Sequence, residues 1–216
     1  MARVFDRGLS MFNPENFKEI KVGFIGAGGI GSISAYSLSK MGIKVKVCDF
    51  DTVEDVNTSS QFYGNKDIGK PKVEALKENL SLITDEDIEI VNGVYKKEDF
   101  EDCQILVLSL DNLTTRKQVI EDAKDDQFIL DTRMVKKISQ IFAFYGVQRD
   151  RWLIEEWDEN VDKTDDGTMC TEKAIAFNAL GMGAMVGSLV VDFLQGKKLN
   201  WCTILDLSGY RIYNLE

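Results

Sequence analysis

Apolar residues come in short dense runs separated by glycine-rich or polar stretches, a pattern that predicts strands alternating with helices. Residues 104–110 are almost continuously apolar, which predicts a parallel strand covered on both faces. Residues 20–25 form an earlier strand, residues 44–47 alternate Lys-Val-Lys-Val like a half-exposed one, and residues 87–91 supply a third. A further strand is predicted over 127–131, with Arg133 just past its end, and 138–147 reads as an antiparallel continuation. Helices are predicted over 32–41, with Ala35 and Leu38 facing the sheet and Gly42 as its stop, over 71–82 with Pro71 in its first turn, and over 114–124. A long apolar helix over 174–194 carries Gly181, Gly183 and Gly187, which permit close helix packing. Residues 1–19 read as a polar lead-in containing Arg3 and Arg7, with a turn at 11–14 and a short helix around 15–17. The polar loop at 52–69 is long enough to be functional, residues 155–170 form an acidic, mobile crossover loop, and the tail from 201 adds one or two strands. The expected architecture is one α/β domain over 1–216, its sheet mostly parallel with antiparallel strands toward the C-terminus.

The punctuation between these elements carries the chemistry. The first strand runs into Gly26-Ala27-Gly28-Gly29-Ile30-Gly31. Glycines after a strand let the backbone turn tightly and approach a phosphate, while the helix behind presents unpaired N–H groups and its positive dipole end. Asp49 closes the second strand about 20 residues further on, where an acidic side chain holds a ribose hydroxyl. Asp111 and Asn112 follow the 104–110 run, at the carboxyl end of a strand where ligands collect in open α/β sheets. These features predict a nucleotide site. An NAD-dependent oxidoreductase would share the glycine turn and Asp49, but would leave Asp111 and the run Asp67-Ile68-Gly69-Lys70-Pro71-Lys72 unexplained.

Composition narrows the chemistry. The formal charge of −10 disfavours a nucleic-acid partner, whose affinity would come from clustered Lys and Arg. No run is read as a membrane span and the N-terminus lacks a signal-peptide core, so the expected location is the cytoplasm, with no membrane partner. The chain has no histidine, which excludes Ser-His-Asp and Cys-His machinery and imidazole proton shuttles. Its four cysteines are scattered without a C-x-x-C pair, which argues against a zinc site and a disulfide framework, and Cys48 and Cys103 read as small core residues.

The ordered set G-A-G-G-I-G, D-F-D-x-V-x-x-x-N, Gln61, D-I-G-K-P-K and D-N at 111 and 112 resembles the ThiF, MoeB and HesA family, which shares the ATP-binding fold of ubiquitin-activating enzymes. The resemblance implies a Rossmann-like, doubly wound fold. It also implies an ATP- and magnesium-dependent adenylyltransferase acting on the C-terminal carboxylate of a small ubiquitin-like or sulfur-carrier protein and releasing pyrophosphate. By the same resemblance Gly26, Gly28, Gly29 and Gly31 line the phosphate turn and Asp49 holds the ribose, while Asn57 and Lys72 contact the triphosphate and Asp111 binds magnesium. Gln61 matches a motif position. A homodimer built through long helices and the sheet edge is implied too, and the small-residue face of 174–194 is compatible with it. The chemistry suits a histidine-free chain: the attacking carboxylate is already ionised near neutral pH, so catalysis reduces to positioning and charge neutralisation.

The departures matter as much. Ser60 stands where the family motif has an arginine, and Arg133 is the expected substitute cation, with a surface salt bridge as its alternative reading. Arg7 is the nearest counterpart of an N-terminal family arginine. Without a substitute, the chain would be a non-catalytic nucleotide-binding subunit. Cys170 precedes a helix, whose dipole can lower a thiol pKa, and it matches a crossover-loop cysteine that becomes acylated or carries sulfur in relatives; the alternative is a passive thiol. Asp111 could instead cap the helix that follows, and Lys72 could be an exposed helix lysine.

Overall fold

The computed structural model describes residues 8–85, 88–157 and 175–216, and in it the apolar runs become the middle of one sheet. β1 (Lys21–Ile25), β2 (Lys44–Asp49), β3 (Glu89–Asn92), β4 (Ile105–Leu108) and β5 (Phe128–Val135) pair in parallel. β6 (Ile138–Tyr145), β7 (Cys202–Asp206) and β8 (Arg211–Leu215) continue the sheet antiparallel. The strand order is β3-β2-β1-β4-β5-β6-β7-β8, so the chain reverses its direction of travel between β1 and β4. That reversal opens a crevice at the carboxyl ends of β1 and β4.

The helices cover both faces. α1 (Gly29–Lys40), α2 (Lys72–Ser81) and α5 (Ala176–Leu194) enclose one core layer, with Leu38, Leu76, Met182 and Val186 against Phe24, Val107 and Leu130. α3 (Leu113–Asp122) and α4 (Arg149–Glu155) enclose the other, where Val119 and Trp152 meet Leu106, Ile129 and Phe144. Every residue of β4 is at most 1% exposed, as a strand sandwiched between helices must be. Each such side chain contributes roughly 1.5–3 kcal/mol of burial, so a polar residue in β4 would be among the most damaging single changes.

Several boundaries differ from the sequence reading. α1 begins at Gly29 rather than 32, which places Gly29 and Gly31 inside its first turn. β5 does not stop at 131 but continues to Val135, because β6 pairs with it residue by residue from Tyr145 back to Ile138. Arg133 therefore lies within the strand. The turn that joins β5 to β6 holds Lys136 at φ 55°, left-handed without a glycine to mark it. The loop at 52–69 contains two short 3-10 turns, Asp55–Ser59 and Asn65–Asp67, and the segment near the N-terminus is a 3-10 turn, Pro14–Phe17.

α5 corrects two expectations. By length and composition its 19 residues could cross a membrane, contrary to the absence of such a run inferred from the sequence. Its Ala179, Met182, Val186 and Val190 instead pack into the core. A Cβ at Gly183 would sit 2.7 Å from Ile33 Cγ2 of α1, and one at Gly187 would sit 3.0 Å from Ser37 Oγ. Gly183 and Gly187 are thus spent on the α1 contact within the chain. What α5 exposes is a different face, with Phe177 and Leu180.

Candidate functional site

The turn after β1 is built by two glycines for steric reasons. Gly26 has φ +103°, and a Cβ there would lie 2.6 Å from the Ser109 carbonyl oxygen. A Cβ on Gly31 would lie 2.0 Å from the Gly26 carbonyl oxygen. Ser109, just past β4, locks the turn by donating from Oγ to the Gly26 carbonyl at 2.7 Å. Gly28 is different: a Cβ there meets nothing within 4 Å. It is the N-cap of α1, with no side-chain cap bond and no acidic residue in the first turn, so no side chain of the helix's own first turn compensates its positive end.

Asp49, at the end of β2, is half-buried and holds this turn. Its Oδ2 accepts from the Ala27 N–H at 2.7 Å, and its Oδ1 accepts from the Asp51 N–H at 2.8 Å. On the other side of the same residue, Tyr63 Oη donates to the Ala27 carbonyl at 2.7 Å. Burial pushes the Tyr63 phenol well above its ordinary pKa, so it stays a donor. Ala27 is therefore gripped at both its N–H and its carbonyl. Nothing in the local sequence singles out Tyr63, which stands beside a second aromatic, Phe62.

The 52–71 segment folds back on itself to deliver Lys72. Val53 N–H donates to the Lys70 carbonyl and Gly69 N–H to the Val53 carbonyl, each at 2.8 Å, and Thr52 bridges Pro71. Asp67 lies inside this fold. Burial opposes its ionisation, but bonds from Asn79 and the Gly64 N–H, with Lys66 and Lys70 nearby, outweigh that and hold it below the ordinary carboxylate range. The first acid of D-I-G-K-P-K is thus a brace. Lys70 reaches α2 and pairs with Glu78. Lys72 is 8% exposed, not a free surface lysine, and its Nζ lies 2.7 Å from Asp51 Oδ2. Asn57 Oδ1 accepts from the Glu54 N–H at 2.8 Å, closing the first 3-10 turn. Gln61 N–H donates to the Asn57 carbonyl, and its own amide oxygen is shielded from solvent with no protein partner. Ser60 ends that turn.

Beyond β4, Asn112 rather than Asp111 caps α3, accepting from the Thr115 N–H at 2.7 Å. This removes the capping explanation for Asp111, which is exposed at the carboxyl end of β4. The loop that carries it is fastened from below by Arg116, which donates to the Leu108 and Leu110 carbonyls and to Asp131. Asp131 is fully buried and also accepts from Trp152 Nε1 at 2.9 Å and Arg133 Nη2 at 2.8 Å. Burial opposes its charge, yet the flanking Arg116 and Arg133 keep its pKa below the ordinary range. Arg133 also donates to Glu156 Oε2 at 2.9 Å and lies over the Phe142 ring at 4.7 Å. Its contacts are therefore with Asp131, Glu156 and the rings of Phe142 and Trp152, an internal cluster that short-range sequence patterns do not reveal. Glu156 is pushed up by burial, which Arg133 only partly offsets.

Cys170 and Arg7 lie outside the described residues, as does most of the 155–170 crossover loop. Cys48 and Cys103 are core residues as expected, their thiols pushed up to about 12 chiefly by burial, and Cys202 is buried too.

The glycine turn is thus bonded to Asp49 and, through Asp51, linked to Lys72, while Ser109 ties it to the segment that carries Asp111. The ThiF family model matches residues 7–211. Ubiquitin-like modifier-activating enzyme 5 of Dictyostelium discoideum is 42% identical over 72 residues, 33% of this chain and 19% of that protein. Its namesake in Caenorhabditis elegans is 38% identical over 80 residues, 36% of this chain and 19% of that protein. The match thus spans about a fifth of the length of these curated relatives. Among solved structures, PaaA superposes with a TM-score of 0.74 at 22% identity, covering 94% of this chain and 65% of that one. Escherichia coli MccB in complex with AMPCPP and MccA gives a TM-score of 0.78 at 17% identity, covering 100% of this chain and 71% of that one. At these identities the likeness to PaaA and MccB is one of fold, which is Rossmann-like and doubly wound with antiparallel C-terminal strands. Matched by the family model from residue 7 to residue 211, nearly its whole length, the chain belongs to the ThiF family.

Proposed function

We propose that the chain is an ATP-dependent adenylyltransferase that activates the C-terminal carboxylate of a small ubiquitin-like or sulfur-carrier protein, or of a peptide. The observation that carries this reading is the direct linkage of the glycine turn to Asp49, of Asp49 to Asp51, and of Asp51 to Lys72. Such a chain of contacts ties the phosphate turn and ribose acid to a cation that a dinucleotide-binding reading leaves without a task. In support, MccB has been solved with ATP and with AMPCPP and MccA, and the sequence relatives are named as activating enzymes for a ubiquitin-like modifier.

In this reading the first-turn N–H groups of α1 receive phosphate, Asp49 accepts from the ribose, and Lys72 with Asn57 meets the triphosphate. The substrate carboxylate attacks the α-phosphorus; an O–P bond forms as the bond from that phosphorus to its bridging oxygen breaks, and pyrophosphate leaves with the electron pair. The carboxylate is already ionised, so no base is required and the protein's task is alignment and charge neutralisation. Asp111 would hold magnesium. Among the described residues there is no cluster of three or more metal-ligating side chains, and a single carboxylate fits an ion that keeps waters and takes its other ligands from phosphates. When bound, the ion would neutralise phosphate charge. Cys170 belongs to the same proposal as an acceptor thiol. So do a cytoplasmic location and a homodimer, the latter consistent with the exposed Phe177 and Leu180 of α5 and Ile212 of β8.

Ser60 motivates a second reading, a subunit that binds nucleotide without reacting it. Arg133 is engaged by Asp131 and Glu156, so its use by phosphate requires Glu156 to give way. Pyrophosphate exchange separates the two. The purified chain is mixed with ATP, labelled pyrophosphate and the small-protein fraction of its own cells. The enzyme reading expects exchange that carboxypeptidase treatment of that fraction abolishes; ATP binding with no exchange on any fraction supports the non-catalytic subunit.

A further inference from the structure

Lys72 has a named partner that the adenylation chemistry does not use. Asp51 Oδ2 lies 2.7 Å from its Nζ, and the Asp51 carbonyl accepts the Lys72 N–H at 2.9 Å. The Lys72 side chain is 9% exposed and that of Asp51 50%, so the lysine is enclosed while the acid stands at the rim. Asp51 is itself fixed, since its N–H donates to Asp49 Oδ1 at 2.8 Å. The neighbouring cation, Lys70, is paired with Glu78 on α2.

We propose that Asp51 is a positioning residue that limits the grip of Lys72 on the triphosphate and on departing pyrophosphate. The inference rests on the adenylation reading and assigns a regulator to its site. An ammonium on a flexible stem needs an anchor to be useful to a ligand. A carboxylate anchor has a second effect, because it places a negative charge beside the phosphates that the lysine is to receive. The ammonium is thereby held in place and partly neutralised at once. For a reaction that leaves pyrophosphate in the site, a weakened lysine speeds release. Asparagine at 51 keeps the hydrogen-bond acceptor but removes the charge, so it separates anchoring from weakening.

The test is calorimetric titration of the full chain and of Asp51→Asn with ATP, inorganic pyrophosphate and AMP, each in magnesium. Asp51→Asn is expected to bind ATP and pyrophosphate tighter by roughly fivefold, the upper range for a partly exposed ion pair. AMP, which lacks the outer phosphates, should change by less than about twofold. The gain should disappear in the Lys72→Ala background. Asp51→Ser, also without charge, should shift ATP in the same direction, so a poorly folded asparagine variant does not end the test. Unchanged or weaker ATP binding by both variants overturns the proposal, as does an equal gain for AMP, because an anchor with no other role predicts loss rather than gain. If the unsubstituted chain itself binds no ATP, the adenylation reading falls and takes this inference with it; if it binds and the variants do not tighten, this inference alone falls.

Discussion

The same substitution at two glycines of one turn should have opposite consequences. In Gly31→Ala the new methyl would lie 2.0 Å from the Gly26 carbonyl oxygen and 2.6 Å from Ser109 Oγ. Ordinary contact begins near 3.4 Å, so the turn or the first turn of α1 must move by more than about 1 Å, and overpacking of this kind costs about 1–3 kcal/mol. At roughly 2–4 °C per kcal/mol for a domain of this size, the melting temperature should fall by several degrees. In Gly28→Ala the methyl meets nothing within 4 Å, and the backbone is extended with negative φ, at φ −75° and ψ −152°. The cost there is limited to exchanging glycine for a poorer N-cap, under about 1 kcal/mol. Gly28→Ala would instead fill space at the helix end where phosphate is expected, so its ATP affinity should fall by at least about tenfold while its fold survives. Urea unfolding and calorimetry on both variants read the two effects separately. The reasoning is refuted if Gly31→Ala is as stable as the parent, or if Gly28→Ala binds ATP unchanged.

Three further outcomes are expected. Tyr63→Phe removes one hydroxyl and leaves the Ala27 carbonyl without that donor, so urea unfolding should show a loss of about 1–3 kcal/mol; a loss below about 0.3 kcal/mol would mean that the bond does not hold the turn. In the cluster of Lys21, Lys46, Glu89 and Asp102 burial opposes the charge on Asp102, but hydrogen bonds from the two lysines lower its pKa to about 2 from 3.8. A depressed carboxyl stabilises the fold above its unfolded pKa and loses that contribution as pH falls through the folded value, so stability should decline between about pH 5 and 2 and decline less steeply in Asp102→Asn. Native protein at pH 8 should leave Cys48 and Cys103 unlabelled by a thiol reagent, their pKa values of about 12 adding to their burial; rapid labelling of either, read by peptide mass spectrometry, would contradict their place in the core.

The parts of the fold that sequence patterns revealed are those whose signal is local. The apolar run of β4, the glycine turn and the lysine beside Pro71 each declare themselves within a few residues, and each is where it was expected. The sequence places the end of β5 too early because Asp131 and Arg133 look like the polar end of a strand. In the folded chain they are the inside of a charge cluster whose other members, Arg116 and Trp152, lie 15 and 21 residues from Asp131. The same limit hid Ser109 and Tyr63, which act on the glycine turn from 83 and 36 residues away. Of the α5 glycines, Gly183 and Gly187 meet α1 of the same chain whereas Gly181 meets Leu205 and Leu207, a division that depends on how the helix lies over the sheet.

The central claim is that the crevice between β1 and β4 is an ATP site. Its most direct test is calorimetric titration of the purified chain with ATP, with and without magnesium, and with NAD in parallel. The account predicts saturable, magnesium-dependent binding of ATP that Asp111→Ala weakens, with no comparable binding of NAD. Binding of NAD alone, or of neither nucleotide, would contradict it.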